Sequence, residues 1–201
     1  MELLDARGLT ESEFLAQYKQ KDYPRPSFTV DIAVFSNDES GQPQLLMVRR
    51  GGHPFLGCWA LPGGFVNQDE SADTAAMREL YEETGVSGLV AERLGVYGEP
   101  GRDPRGWTIS AAYLSHVDEH RATRAGDDAA EAVWCRLETR IREDGAYDMK
   151  VHAGEDVLQL VFETSQARFT PPHAHMLDFS GFAFDHAQIV ADAWLALSGE
   201  A

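Results

Sequence analysis

Two hydrophobic rhythms run through this chain and divide it into strands and helices. Residues 27–35 (SFTVDIAVF) alternate β-branched and apolar positions, the period-two pattern of a strand. Gly41 and Pro43 mark a turn, after which residues 44–48 (QLLMV) start a second strand. The loop Gly51-Gly52-His53-Pro54 leads to a short strand at 58–61, which runs into Pro62-Gly63-Gly64. From 71 to 84 the period changes: Ala72, Ala75, Ala76, Leu80 and Tyr81 recur at helical spacing, and Gly85 supplies the stop. Residues 89–97, 108–117 and 130–137 have strand character, separated by loops at 98–106 and 118–128 rich in Gly, Asp, Arg and Pro. Residues 149–161 fit neither period cleanly.

Each end of the chain predicts a helix. Thr10-Glu11-Ser12-Glu13 has the form of a capping box, and Phe14, Leu15 and Tyr18 follow at helical spacing. That helix is expected over about 10–21, since Pro24 and Pro26 end it. Residues 182–197 (FAFDHAQIVADAWLAL) predict a second amphipathic helix. Mixed strands with few helices point to an α/β (α+β) fold, an α/β/α sandwich around a mixed sheet. A single domain over 1–201 is expected, with both terminal helices packed on one core.

Composition narrows the function classes. The 201 residues are 43% hydrophobic, enough for a core that needs neither disulfide nor structural metal. The net charge of -16 repels phosphate backbones, so a nucleic-acid partner is not expected. Cys58 and Cys135 stand far apart beside Trp59 and Trp134, as free thiols in a reducing compartment. With neither a secretory signal nor a run of ~18 apolar residues, a cytoplasmic, membrane-free protein is expected.

The chemistry concentrates at residues 64–86: Gly64, five residues, Glu70, seven residues, then Arg78-Glu79-Leu80-Tyr81-Glu82-Glu83-Thr84-Gly85-Val86. At ~100° per residue, Glu79, Glu82 and Glu83 fall on one helix face. Like charges so placed repel, and a hard cation such as Mg²⁺ or Mn²⁺, which prefers carboxylate oxygens, relieves that repulsion. Arg78 projects about a quarter-turn away and is expected to reach back to Glu70 as a bidentate pair. Gly63 and Gly64 leave the backbone bare, so that a carbonyl can approach a metal closely. A solvated acidic helix face explains a lone Glu-x-x-Glu-Glu. It does not explain seven fixed identities at these spacings, which arise by chance at ~10⁻⁸ per starting position.

The whole string resembles the Nudix box, Gly-x5-Glu-x7-Arg-Glu-U-x-Glu-Glu-x-Gly-U with U aliphatic, and departs from it nowhere. The resemblance implies hydrolysis of a nucleoside diphosphate linked to another group. It implies that Glu79, Glu82 and Glu83, with the Gly64 carbonyl, hold divalent metal, while Arg78 and Glu70 orient the helix. Glu82 is the first choice of general base, with Glu99 and Glu131 as alternatives.

Residues 46–65, 97–113 and 127–134, with Phe184-Asp185-His186, look like the bacterial ADP-ribose pyrophosphatase-like group. That likeness implies cleavage of ADP-ribose to AMP and ribose 5-phosphate, and Pro100 stands where a proline accompanies that preference. Arg50, Arg102, Asp103 and Arg105 are candidate substrate contacts, since guanidinium forks suit phosphate. A solvated loop whose arginines pair with its own aspartates stays equally open. His173 and His175 suggest an exposed loop more than a metal site, and His186 a packing or hydrogen-bonding residue. Proteins of the same group also act as ADP-ribose sensors with a C-terminal DNA-binding module, for which little chain is expected after Leu197. Other substrates kept open are NADH, dinucleotide polyphosphates and oxidised nucleoside triphosphates, and a homodimer is a further option.

Overall fold

Strand β1 (Ser27–Asn37) sets the architecture, because it is buried from Thr29 to Ser36 with both faces covered. A computed structural model describes residues 3–19, 23–117, 123–125, 129–165 and 173–199. Val30, Ile32 and Val34 point to one side, where Ala75, Ala76 and Leu80 of helix α2 (Ala72–Thr84) cover them. Ala33 and Phe35 point to the other, against Ile189, Val190 and Ala193 of α3 (His186–Ser198). A strand covered on both faces reads as a near-continuous apolar run, as residues 27–35 do.

Around β1 lies one mixed sheet in the order β10-β9-β8-β7-β2-β1-β6-β5. Its members are β2 (Pro43–Arg50), β5 (Glu92–Tyr97), β6 (Thr108–Val117), β7 (Ala129–Ile141), β8 (Tyr147–Ala153), β9 (Asp156–Ser165) and β10 (His173–Ser180). The β1–β6 pair is parallel and the other neighbours are antiparallel. Two short strands leave this path: β3 (Trp59–Ala60) pairs β2, and β4 (Gly63–Phe65) pairs β1. Helices on opposite faces of a mixed sheet are the expected sandwich.

The differences from the sequence reading have local causes. Residues 149–161 fall on β8, a turn at Gly154, and β9, both strands in the sheet. The stretch from His173, expected as a loop, is edge strand β10, and His173 Nδ1 lies 3.0 Å from the Asp192 carboxylate. The N-terminal helix α1 covers Glu11–Gln17, and its end at Tyr18 precedes residues 20–22, which lie outside the described set. Its capping box forms, with Glu13 N–H donating to Thr10 Oγ1 and Thr10 N–H to Glu13. However, α1 buries no residue, so it does not share the core as expected. Phe14 and Tyr18 meet each other as a tilted pair, at 5.6 Å between rings, and Arg7 lies over Phe14. Helix α3 starts at His186 rather than 182, because Ala183 N–H is bonded to the Trp59 carbonyl and Phe184 has φ 52°.

Candidate active site

Helix α2 is well set at both ends. Ser71 caps it by accepting from Thr74 N–H, and Gly85, in the left-handed region at φ 72°, closes it with a bond to the Tyr81 carbonyl. Leu80 is fully buried beneath it, while Glu79 and Glu83 on the neighbouring flank are partly buried and Glu82 is exposed.

Arg78 organises that face through five hydrogen bonds. Its Nε and Nη2 donate to the two oxygens of Glu70 at 3.1 and 2.6 Å, the expected bidentate pair. Nη2 also donates to the Phe65 carbonyl at 3.0 Å, and Nη1 to Glu79 and Glu82 at 2.8 and 2.9 Å. The contacts to Glu79 and Glu82 go beyond the sequence reading. Hydrogen bonds from Arg78, then from the Asn67 backbone, hold the Glu70 carboxyl down at about 2.

Glu83 is half-buried. Gly63 N–H donates to its Oε2 at 2.9 Å, yet burial first, and Glu79 after it, push its carboxyl up to about 7. Burial also raises Glu79, against the pull of Arg78. The two glycines are there for space. A Cβ at Gly64 would stand 2.5 Å from the Glu79 carboxylate, and one at Gly63 would collide with the Val30 carbonyl oxygen and approach Asp31 Oδ1 to 2.8 Å. Gly63→Ala is therefore expected to cost about 1–3 kcal/mol by overpacking. Chemical denaturation reads this directly, and an unchanged midpoint would show that β1 and β4 separate without cost.

Glu79 and Glu83 open into a cleft of about 580 Å³, whose lining includes Arg50, Arg102, Asp103, Arg105 and Phe184. Arg105 lies over the Phe65 and Phe184 rings at 5.1 and 5.5 Å and is gripped by Asp103 at 2.7 Å. Arg50 lies over the same Phe184 ring at 4.9 Å and donates to the Pro54 carbonyl. Burial, then the like charge of Arg105, lowers the Arg50 pKa.

Arg102 and Asp103 have other occupations than the expected substrate contact. Arg102 is buried, makes a bidentate pair with Asp185 at 2.7 and 2.6 Å, and reaches Asp31 at 3.3 Å. Asp103 spends its carboxylate on Arg105, the loop-internal pairing. Arg50 and Arg105 are thus the arginines of this group with room at the cleft. Asp31 was missed. Burial pushes its carboxyl up, but His186, Ser110 and Arg102 outweigh that and hold it below the usual range. The three candidate bases lie apart from the cleft lining: Glu82 is half exposed and bound to Arg78, Glu99 lines a second cleft, and Glu131 is exposed on β7.

The donor set fits a hard cation in type: two crowded carboxylates with raised pKa, and a bare glycine backbone against one of them. Among the described residues no three acidic, His or Cys side chains converge into a ready-made cage, because Glu82 is turned to Arg78.

A family model, the NUDIX domain, matches residues 27–150, which hold α2 and the cleft lining apart from Phe184 and His186. The chain belongs to the Nudix family. Among curated Nudix relatives, an ADPR responsive transcriptional repressor of Acinetobacter baylyi is 36% identical, over 80% of this chain and 64% of its own. An ADP-ribose pyrophosphatase of Methanocaldococcus jannaschii is 42% identical, over 57% of this chain and 64% of its own. The chain thus spans just under two thirds of the length of both. Among solved structures, a MutT/nudix family protein from Enterococcus faecalis has TM-score 0.80 at 33% identity, covering 96% of this chain and 71% of that one. The Nudix domain of Shewanella oneidensis NrtR, complexed with ADP ribose, has TM-score 0.67 at 28% identity, covering 94% and 99%. A bifunctional NMN adenylyltransferase/ADP ribose pyrophosphatase from Francisella tularensis, with AMP and a manganese ion, has TM-score 0.58 at 26% identity, covering 90% and 43%. These Nudix neighbours share the mixed sheet with flanking helices found here.

Proposed function

We propose that this protein is a Nudix pyrophosphohydrolase that cleaves ADP-ribose to AMP and ribose 5-phosphate. The observation that carries the reading is that Glu79 and Glu83 of the box line the same cleft as Arg50 and Arg105. One wall suits cations and the other suits phosphates, and the volume is in the range of small-molecule sites. ADP-ribose is favoured by the pyrophosphatase relative and by the ADP-ribose-bound neighbour.

Glu79 and Glu83, with the Gly64 carbonyl, would hold Mg²⁺ or Mn²⁺, and Glu82 joins them only by leaving Arg78. Such a cation, when bound, neutralises phosphate charge and makes water a better nucleophile. The chain's own groups do the rest. Arg50 and Arg105 attract and orient the diphosphate, and the Phe65 and Phe184 rings keep Arg105 from swinging away. Arg78 and Glu70 lock α2 to the β4 end, so the carboxylates stay in place. Water adds to one phosphorus as the bridging P–O bond breaks, giving two phosphate monoesters.

A product assay with Mg²⁺ over ADP-ribose, NADH, nucleoside triphosphates and diadenosine polyphosphates tests this. Turnover is expected to be highest on ADP-ribose and to disappear on chelation. Tight ADP-ribose binding with no turnover of any of them favours a second reading, a sensor domain, which the 36% identity to a repressor supports. The rest of the proposal is a single Nudix domain over residues 1–201, free of membrane and nucleic acid, in the cytoplasm and open to homodimerisation. Among the described residues no helix is long and apolar enough to cross a membrane.

A further inference from the structure

Three consecutive residues at the start of α3 each contact a different wall of the cleft, the first two by giving up a local preference. Phe184 takes a left-handed backbone at φ 52°, a conformation unfavourable for a bulky residue, and its ring lies under the Arg50 and Arg105 guanidiniums. Asp185 occupies the N-cap position, but its side chain makes no cap bond to the helix. It thereby forgoes the stabilisation of a side-chain cap, and its carboxylate clamps Arg102 instead. His186 is buried, and its Nδ1 accepts the Leu61 N–H at 2.8 Å.

The last contact reaches the carboxylates. A neutral imidazole whose Nδ1 accepts carries its hydrogen on Nε2. That nitrogen faces Asp31 Oδ1 at 3.3 Å, and the other Asp31 oxygen takes the Ser110 hydroxyl at 2.5 Å. The ring therefore spans from β1 to Leu61. Two residues on, Gly63 N–H holds Glu83, and Gly64 follows with its backbone against Glu79. Core packing of α3 is already supplied by Ala187, Ile189 and Val190 and needs none of these polar contacts.

We infer that Phe184-Asp185-His186 is a positioning element of the active site, in which His186 sets the Leu61–Gly64 segment on which Glu79 and Glu83 depend. The inference rests on the hydrolase reading above and concerns residues about a hundred positions beyond the box.

The test compares His186→Leu, which fills the space and accepts nothing, with His186→Asn, whose side-chain oxygen can still accept from Leu61 N–H. His186→Ala joins them as the plain truncation. In the full chain, the readouts are kcat and KM on ADP-ribose with Mg²⁺, Mn²⁺ affinity without nucleotide by electron paramagnetic resonance, and melting temperature. The Leu and Ala variants are expected to lose roughly 10–100-fold in Mn²⁺ affinity and up to about a hundredfold in kcat, with KM little changed. The Asn variant is expected to recover most of both. Wild-type-like Mn²⁺ affinity and kcat in the Leu variant overturn the inference. So does an Asn variant no better than Leu at equal melting temperature, or failure of all three to fold, which would leave His186 a core residue only. If wild type turns nothing over, the hydrolase reading falls and the Mn²⁺ comparison still decides this one. Wild type that binds no Mn²⁺ overturns both.

Discussion

Freed of divalent cations at pH 8, Glu83→Gln is expected to melt at a higher temperature than wild type, and with Mg²⁺ restored to turn over about 10²–10⁴-fold more slowly. Both effects come from one buried carboxyl. Burial, with the Glu79 charge behind it, raises the folded Glu83 pKa from 4.5 to about 7. Between those values the folded protein binds more protons than the unfolded chain, so this group lowers stability as pH rises through the window. The loss is complete above about 7 and is on the order of 3 kcal/mol at most. Glutamine keeps an oxygen for Gly63 N–H and has no charge to bury. Melting curves from pH 4 to 9 in chelator measure this; parallel slopes in the two proteins would mean Glu83 ionises freely. Near-normal turnover in the variant would remove Glu83 from the metal-holding set.

Arg78→Lys is the second large effect. A lysine ammonium is a point charge and cannot span Glu70, Glu79 and the Phe65 carbonyl as the guanidinium fork does. Turnover is expected to fall roughly 10–100-fold, the cost of loosening groups that orient ligands. The melting temperature should fall as well, with a definite pH dependence. Glu70, held at about 2 by Arg78, contributes stability above its unfolded value of 4.5 and loses it as pH falls towards 2. The gap between wild type and variant should therefore narrow across that window on acidification. A gap that stays constant would mean that the Glu70 pair is not what the substitution breaks.

How much of this was legible depends on how local each feature is. The box occupies 23 contiguous positions, so its helix, its stop at Gly85 and the Arg78–Glu70 pair follow from helical geometry alone. Arg102 is a candidate substrate contact in sequence, with loop-internal pairing equally open, and its actual partners, Asp31 and Asp185, are hidden from a local reading because they lie 71 and 83 residues away. Asp31 did leave a signal: a charge inside SFTVDIAVF, a strand apolar enough to be covered on both faces, has to be paired. Strand β10 was hidden because an edge strand has one neighbour and shows little alternation in burial. The amphipathic pattern of α1 is real, but a pattern states that a face exists and not what covers it.

The Leu61–His186 hydrogen bond also bears on the order in which the molecule comes into being. A growing chain carries the complete box once Val86 has been added, yet His186, which braces that region, is made a hundred residues later. At ~5–20 residues per second, that interval is ~5–20 seconds on the ribosome. Throughout it the acidic helix exists without the Leu61–His186 bond, which joins positions 125 residues apart and carries the loop-closure cost of a long-range contact. The nascent protein thus bears its signature long before the brace at His186 can form.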